Sequence, residues 1–193
     1  MKLRFSVLAL TLALMTIGAH AQGGLYLNPI VSRVSNSVAD TGNFAFLGSG
    51  KTSQIFGGVV IGGYYEIYHV PKFDFSLDLR DEIEHGNNAS LNNLLFGGRL
   101  AFKPTKTSFR PYVQGSFGEG RTTSPLSPIH TSKFEWAAFG GIDKPLNKHI
   151  DWRVIEVGYG KVTTISSFLY SGPVVIPAAQ LLNFSTGFVF RIP

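Results

Sequence analysis

Asp78, Arg80 and Glu82 occupy alternate positions of one short stretch. A spacing of two puts side chains on one face of a β-strand, so this is an acid–base–acid row along a single face. The chemistry available to such a row is ion pairing where water is scarce, because an isolated buried charge is very costly. The pattern extends on both sides. Phe73, Phe75, Leu77, Leu79, Asp81 and Ile83 share one face, mostly oily; Asp74, Ser76, Asp78, Arg80, Glu82 and Glu84 share the other.

Other groups carry weaker chemistry. Gly48-Ser49-Gly50-Lys51-Thr52 resembles the end of a phosphate-binding loop, but Ala45 stands where that motif needs Gly, and no strand–loop–helix surrounds it. Beyond the leader there are four histidines, His69, His85, His130 and His149. His130 has Ser127, Ser132 and Glu135 near it in sequence, a spacing common in polar loops. A hydrolytic triad is recognised by geometry rather than spacing, so no catalytic residues are assigned and the expectation is a non-enzyme. No run of His or carboxylates has metal-ligand spacing, and neither a metal nor a cofactor is expected. Asn88-Ala89-Ser90 matches a glycosylation sequon and carries no weight alone.

The elements that position the charged row begin after an export signal. Lys2 and Arg4 precede an apolar run from Phe5 to Ile17, and Ala19-His20-Ala21 supplies small residues for cleavage. Residues 1–21 therefore read as a signal peptide, its apolar core too short to span a bilayer. Gln22 rather than Cys follows, which argues against a lipid anchor there. Residues 22–193 form one domain without Cys, so disulfides cannot support it. Removing the leader's two cations lowers the formal charge from +5 to +3, too mild to suggest nucleic acid. No later apolar stretch approaches the roughly 20 residues of a membrane helix, so any crossing is made by strands.

Eight strands are predicted: Leu25–Arg33, Gln54–Ile67, Phe73–Glu84, Asn93–Lys103, Arg110–Arg121, Lys133–Lys144, Ile150–Lys161 and Leu181–Ile192. The connections at 34–53, 85–92, 122–132 and 162–180 read as long, those at 68–72, 104–109 and 145–149 as short. Outer-membrane barrels alternate in this way, with tight periplasmic turns and longer outer loops. Phe56-Gly57-Gly58, Phe96-Gly97-Gly98 and Phe139-Gly140-Gly141 recur once per hairpin, as expected of bends in a strongly curved wall.

Alternation recurs in the later strands. Phe184, Thr186, Phe188, Phe190 and Ile192 oppose Asn183, Ser185 and Arg191; Leu94, Phe96, Leu100 and Phe102 oppose Asn93, Arg99 and Lys103. On this parity Asp78, Arg80, Glu82, Arg99, Glu135, Glu156 and Arg191 point into a lumen and pair there. Tyr65, Phe73, Tyr112, Tyr159 and Phe190 are expected outside, as aromatic girdles where wall meets headgroups.

Lys72-Phe73-Asp74-Phe75-Ser76-Leu77-Asp78-Leu79-Arg80, Arg110-Pro111-Tyr112-Val113-Gln114 and Asp151-Trp152-Arg153-Val154-Ile155-Glu156-Val157-Gly158-Tyr159 resemble the small outer-membrane β-barrel family, which includes the OmpA-type transmembrane domain. The resemblance implies an all-β, eight-stranded antiparallel up-and-down transmembrane barrel in a bacterial outer membrane. Two departures stand out: Arg191-Ile192-Pro193 follows the final aromatic, Phe190, and no peptidoglycan-binding domain follows the barrel.

The expected role is structural or surface-interactive, with a side-chain-filled lumen. A narrow porin-like channel and a soluble periplasmic lipocalin-like carrier are the alternatives. Expected partners are outer-membrane lipids, including lipopolysaccharide, and the barrel-assembly machinery; the barrel is expected to be a monomer. Basic residues at both rims, Lys72, Lys103, Lys106, Arg110, Lys144 and Lys148 at one end and Arg33, Arg121, Lys133 and Lys161 at the other, suit anionic headgroups and phosphates.

Overall fold

A computed structural model describes residues 23–40, 45–125, 130–162 and 178–192. The leader assigned to residues 1–21 lies outside them. Eight strands run β1 (Gly23–Ser35), β2 (Ser53–His69), β3 (Phe73–Gly86), β4 (Ala89–Phe102), β5 (Arg110–Thr123), β6 (His130–Pro145), β7 (Ile150–Val162) and β8 (Ala179–Ile192). Each pairs antiparallel with the next, and β1 pairs with β8, so the sheet closes into a barrel in chain order. Closure matters because no strand edge is left open, which is what a spanning sheet requires in hydrocarbon.

The register fixes the geometry. From His130 the cross-strand partners run through Thr123, Ser90, His85, Gly57, Val31, Phe184 and Val157, and return to β6 at Gly140. The walk ends ten residues from its start, which is the shear of the barrel. Eight strands with such a stagger tilt by roughly 40° and leave an interior that side chains can fill.

Burial alternates along most of the strand length. In β3 every even residue from Asp74 to Glu84 is buried. Leu27, Val31, Phe96, Phe117, Phe188 and Phe190 are exposed on the outside. Fat outside and charge inside is the inverse of a soluble carrier, whose cavity is apolar and whose surface is wet. The lipocalin-like alternative is therefore corrected by the burial pattern.

Three details differ from the sequence reading. The connection expected at 85–92 is a two-residue turn: Asn87 and Asn88 both take positive φ, 51° and 58°, and β3 and β4 pair up to Gly86 and Ala89. Consecutive left-handed residues fit the twist of a tight hairpin, and Asn tolerates them. The three Phe-Gly-Gly triplets are not in one phase. Phe56 and Phe139 are buried inside, whereas Phe96 is exposed outside, yet each triplet sets one glycine against a crowded wall: a Cβ would lie 1.9 Å from a neighbour at Gly58, 2.1 Å at Gly97 and 2.5 Å at Gly141.

Third, β7 carries an extra residue. Its pairing skips between Arg153 and Glu156 against β8, and the facing step Ile142/Asp143 shifts on β6. The resulting β-bulge turns both Arg153 and Glu156 inward, three residues apart. It also leaves carbonyls out of the ladder. The Thr186 hydroxyl of β8 donates to the carbonyls of Arg153 at 2.9 Å and Val154 at 3.1 Å, supplying the missing partner from the outer face.

A similar repair operates at the closing seam. The β1–β8 pairing lapses around Pro29, which has no N–H to offer, and the Asn28 side chain accepts from the Phe188 N–H at 2.8 Å. Gly187 makes room for it, with φ of 151° and no space for a Cβ, which would lie 2.1 Å from Asn28 Oδ1.

Candidate functional site in the lumen

Strand parity brings most of the predicted charges together. Asp78, Arg80, Glu82, Arg99, Glu135 and Glu156 are all buried inside the barrel. Arg80 is the hub. Its two terminal nitrogens bond Glu156 at 3.1 and 3.0 Å, its Nε lies 3.4 Å from Asp78, and Nη1 lies 3.5 Å from Glu82. Glu156 also accepts from Arg153 at 3.3 Å, from the Tyr112 hydroxyl at 2.5 Å and from Ser185 at 3.1 Å.

The network extends through a second acid. Asp143 accepts from Arg99 at 2.6 Å on one oxygen and from Arg153 at 3.1 Å on the other. Asp78 is held by Tyr26 at 2.9 Å and Gln114 at 2.7 Å. Rings stack on the guanidinium planes: Phe139 is 3.9 Å from Arg80, and Arg99 lies 4.4 Å from Tyr64 and 4.2 Å from Tyr112. Paired, hydrogen-bonded and stacked, each guanidinium recovers much of the solvation it loses.

Arg191 stands apart from this group. It is part-exposed near the chain-terminal end of the barrel and pairs with Asp151 through both Nε, at 2.6 Å, and Nη2. Nearby, Asp74 takes Lys103 Nζ at 2.7 Å and His69 Nδ1 at 2.6 Å, with Glu66 3.8 Å from the same ring nitrogen. Sequence spacing did not reveal this cluster of Glu66, His69 and Asp74, whose possible ligand atoms lie within 4.8 Å of one another. Lys103 already satisfies Asp74, so the group reads as an ion cluster at the rim. His130 lies at the other end, Nδ1 on Thr123 Oγ1 at 2.7 Å, and Ser127 is outside the described residues.

Among the expected girdle aromatics, Tyr159 and Phe190 are exposed on the outside, and Tyr65 and Phe73 are half-buried there. Tyr112 is a correction. It is buried in the lumen on the parity of Gln114 and Ser116, because its hydroxyl is required by Glu156. Arg153, Asp143 and Tyr26 are lumen residues that the sequence reading missed. Strict alternation puts Arg153 outside with Ile155, and the bulge reverses it.

An apolar cap closes the loop end. Phe46 and Leu47, from the connection between β1 and β2, are fully buried with Val34, Phe56, Leu91, Val162 and Leu181. Phe46 lies flat on Phe56, ring centres 5.0 Å apart. The buried carboxylate of Asp40 accepts the Leu47 N–H at 2.8 Å and ties Leu47 to the residues that follow β1.

No family model matches the sequence, and no curated protein matches it significantly. Solved structures do. Neisserial surface protein A is similar over 89% of this chain and 97% of its own, with a TM-score of 0.59 and 10% identity. The attachment invasion locus protein Ail of Yersinia pestis matches with 0.48 and 11%, covering 89% and 99%. The outer membrane protein OprG of Pseudomonas aeruginosa matches with 0.44 and 15%, covering 89% and 96%. With its closed sheet, greasy exterior and enclosed ions, the chain has the fold of the small eight-stranded outer-membrane β-barrels.

Proposed function

We propose that the protein is a non-conducting outer-membrane barrel whose loop end serves as a contact surface in the outer leaflet. The observation that carries this reading is the double closure of the lumen. The Arg80–Glu156–Arg153–Asp143 network fills its middle, and the Phe46–Leu47 cap fills its outer mouth. A lumen filled in this way leaves the outside of the molecule as the working surface.

Arg33, Arg121 and Lys161 belong to that surface. They lie on the outward parity at the loop ends of β1, β5 and β7, where they suit lipopolysaccharide phosphates by charge attraction. Lys103, at the opposite rim, is engaged by Asp74 and is not available for headgroups in the same way.

A narrow pore is the second reading, favoured by the ionic lining itself. Planar bilayer recordings of the purified barrel separate the two. The closed reading expects no discrete current steps; regular steps of one size, abolished by substituting Arg80, would establish a pore instead.

A further inference from the structure

Two carboxylates and a histidine converge at the inner rim of the barrel, where β2 turns into β3. Asp74 Oδ1 lies 2.6 Å from His69 Nδ1, and Glu66 Oε2 lies 3.8 Å from the same ring nitrogen. The possible ligand atoms of all three fall within 4.8 Å of one another.

A bulge creates this convergence. Val60, Tyr64 and Glu66 share the inward parity of β2, so His69, three residues on, should face out. A register shift between Glu66 and Tyr68 adds one residue to β2 and reverses the phase. His69 then pairs directly with Asp74, whose side chain is buried on the lumen parity. An imidazole is thereby turned toward two acids that already faced inward.

Charge supplies a second, separate observation. Arg99 is held by Asp143 at 2.6 Å, and Arg191 by both oxygens of Asp151. Lys103 is the cation left for Glu66 and Asp74. Its Nζ donates to Asp74 Oδ1 at 2.7 Å and lies 3.2 and 3.4 Å from the two ring nitrogens of His69. The chain's own ammonium thus stands at the mouth of the three ligands, yet it serves one carboxylate of the two. Among the described residues, Glu66 has no ion-pair contact nearer than His69 Nδ1, although its side chain is only 12% exposed.

We propose that Glu66, His69 and Asp74 form a periplasmic-rim site for one divalent cation of the zinc class, which displaces the Lys103 ammonium. An imidazole with carboxylate oxygens is a donor set that suits zinc, and three protein ligands leave a fourth position for water. Two acids match a divalent charge, whereas a single ammonium leaves one of them uncompensated. His69 is largely exposed, so the ion reaches it from solvent without opening the lumen. Lys103 follows the last residue of β4 and carries its charge on a flexible stem, so it can swing out toward headgroups when the ion binds. The site lies at the opposite end from the outer contact surface and does not depend on that reading.

The test is a calorimetric titration of zinc chloride into the folded barrel, in detergent, after EDTA treatment and desalting. About one zinc per barrel is expected. His69→Asn should abolish saturable binding, and because that side chain is exposed the folded band on an unheated gel should persist. Lys103→Met should bind zinc about tenfold more tightly or better, since the competing charge is gone. His149→Asn, exposed on another turn of the same rim, should leave wild-type binding unchanged. Calcium at the same concentration should not displace the zinc, because calcium takes oxygen ligands and an imidazole suits zinc. A wild type without stoichiometric zinc, a His69→Asn barrel that retains it, or a Lys103→Met barrel that binds no more tightly overturns the proposal. Displacement by calcium overturns it as well and reduces the group to an acidic patch.

Discussion

Arg80 of β3 and Glu156 of β7 hold each other across the lumen by two parallel bonds of 3.1 and 3.0 Å, although 76 residues separate them in sequence. Two strands that are not neighbours in the sheet are thereby tied through the barrel's interior. The pair sets how the wall is braced, and most of the expected sensitivities follow from it.

Arg80→Met should destabilise the barrel by about 3–5 kcal/mol, because Glu156, Asp78 and Glu82 lose a partner while remaining buried. Arg33→Met, on the exposed outer rim, should change stability by less than about 0.5 kcal/mol. Urea unfolding in detergent, read by the gel shift between folded and heated protein, measures both. Equal midpoints for the two variants would show that the lumen network contributes nothing.

Tyr112→Phe removes only the hydroxyl that Glu156 accepts. A loss of about 1–3 kcal/mol is expected, since a buried charged acceptor is left short of a donor. Tyr159→Phe, exposed on the outer wall, should be neutral by the same urea assay.

Thr186→Val keeps the shape of a lipid-facing side chain and deletes the donor that serves the bulge carbonyls of Arg153 and Val154. Hydrocarbon offers no substitute, so about 1–3 kcal/mol should be lost. Hydrogen exchange around Val154 should rise with it; unchanged exchange and stability would mean the bulge needs no such support.

Gly57 and Gly58 separate packing from composition. A Cβ at Gly57 meets nothing within 4 Å, whereas one at Gly58 would lie 1.9 Å from the Ile83 carbonyl oxygen. Gly57→Ala should refold with wild-type yield, and Gly58→Ala should refold poorly or slowly, as scored by the folded band on an unheated gel.

Much of this architecture was legible because strand alternation is a local signal. Phe73–Glu84 displays both faces without help from the rest of the chain, and Arg80, Glu82 and Glu156 follow from parity alone. What parity could not show was the added residue in β7, since a bulge shifts phase without any residue that announces it. Arg153 was lost for that reason. Tyr112 was misplaced for another: an aromatic near a strand end suggests a girdle, although Gln114 and Ser116 share its parity and are polar. The apolar cap was hidden because Phe46 and Leu47 sit in a segment otherwise rich in Ser, Asn and Gly. The turn at Asn87-Asn88 was hidden because most residues from Glu84 to Asn93 are polar, so the strand ends on either side of it do not stand out.

The most direct test places nitroxide labels, one at a time, at Leu27, Phe96 and Phe188 on the outer wall and at Ser76 and Ser116 in the lumen, with the barrel reconstituted in phospholipid vesicles. Dissolved oxygen concentrates in the acyl region, so labels on the wall should relax rapidly by collision and those in the lumen should be shielded. High oxygen accessibility at Ser76 and Ser116, with low accessibility at Leu27, Phe96 and Phe188, would contradict the assignment of fat to the outside and ions to the inside.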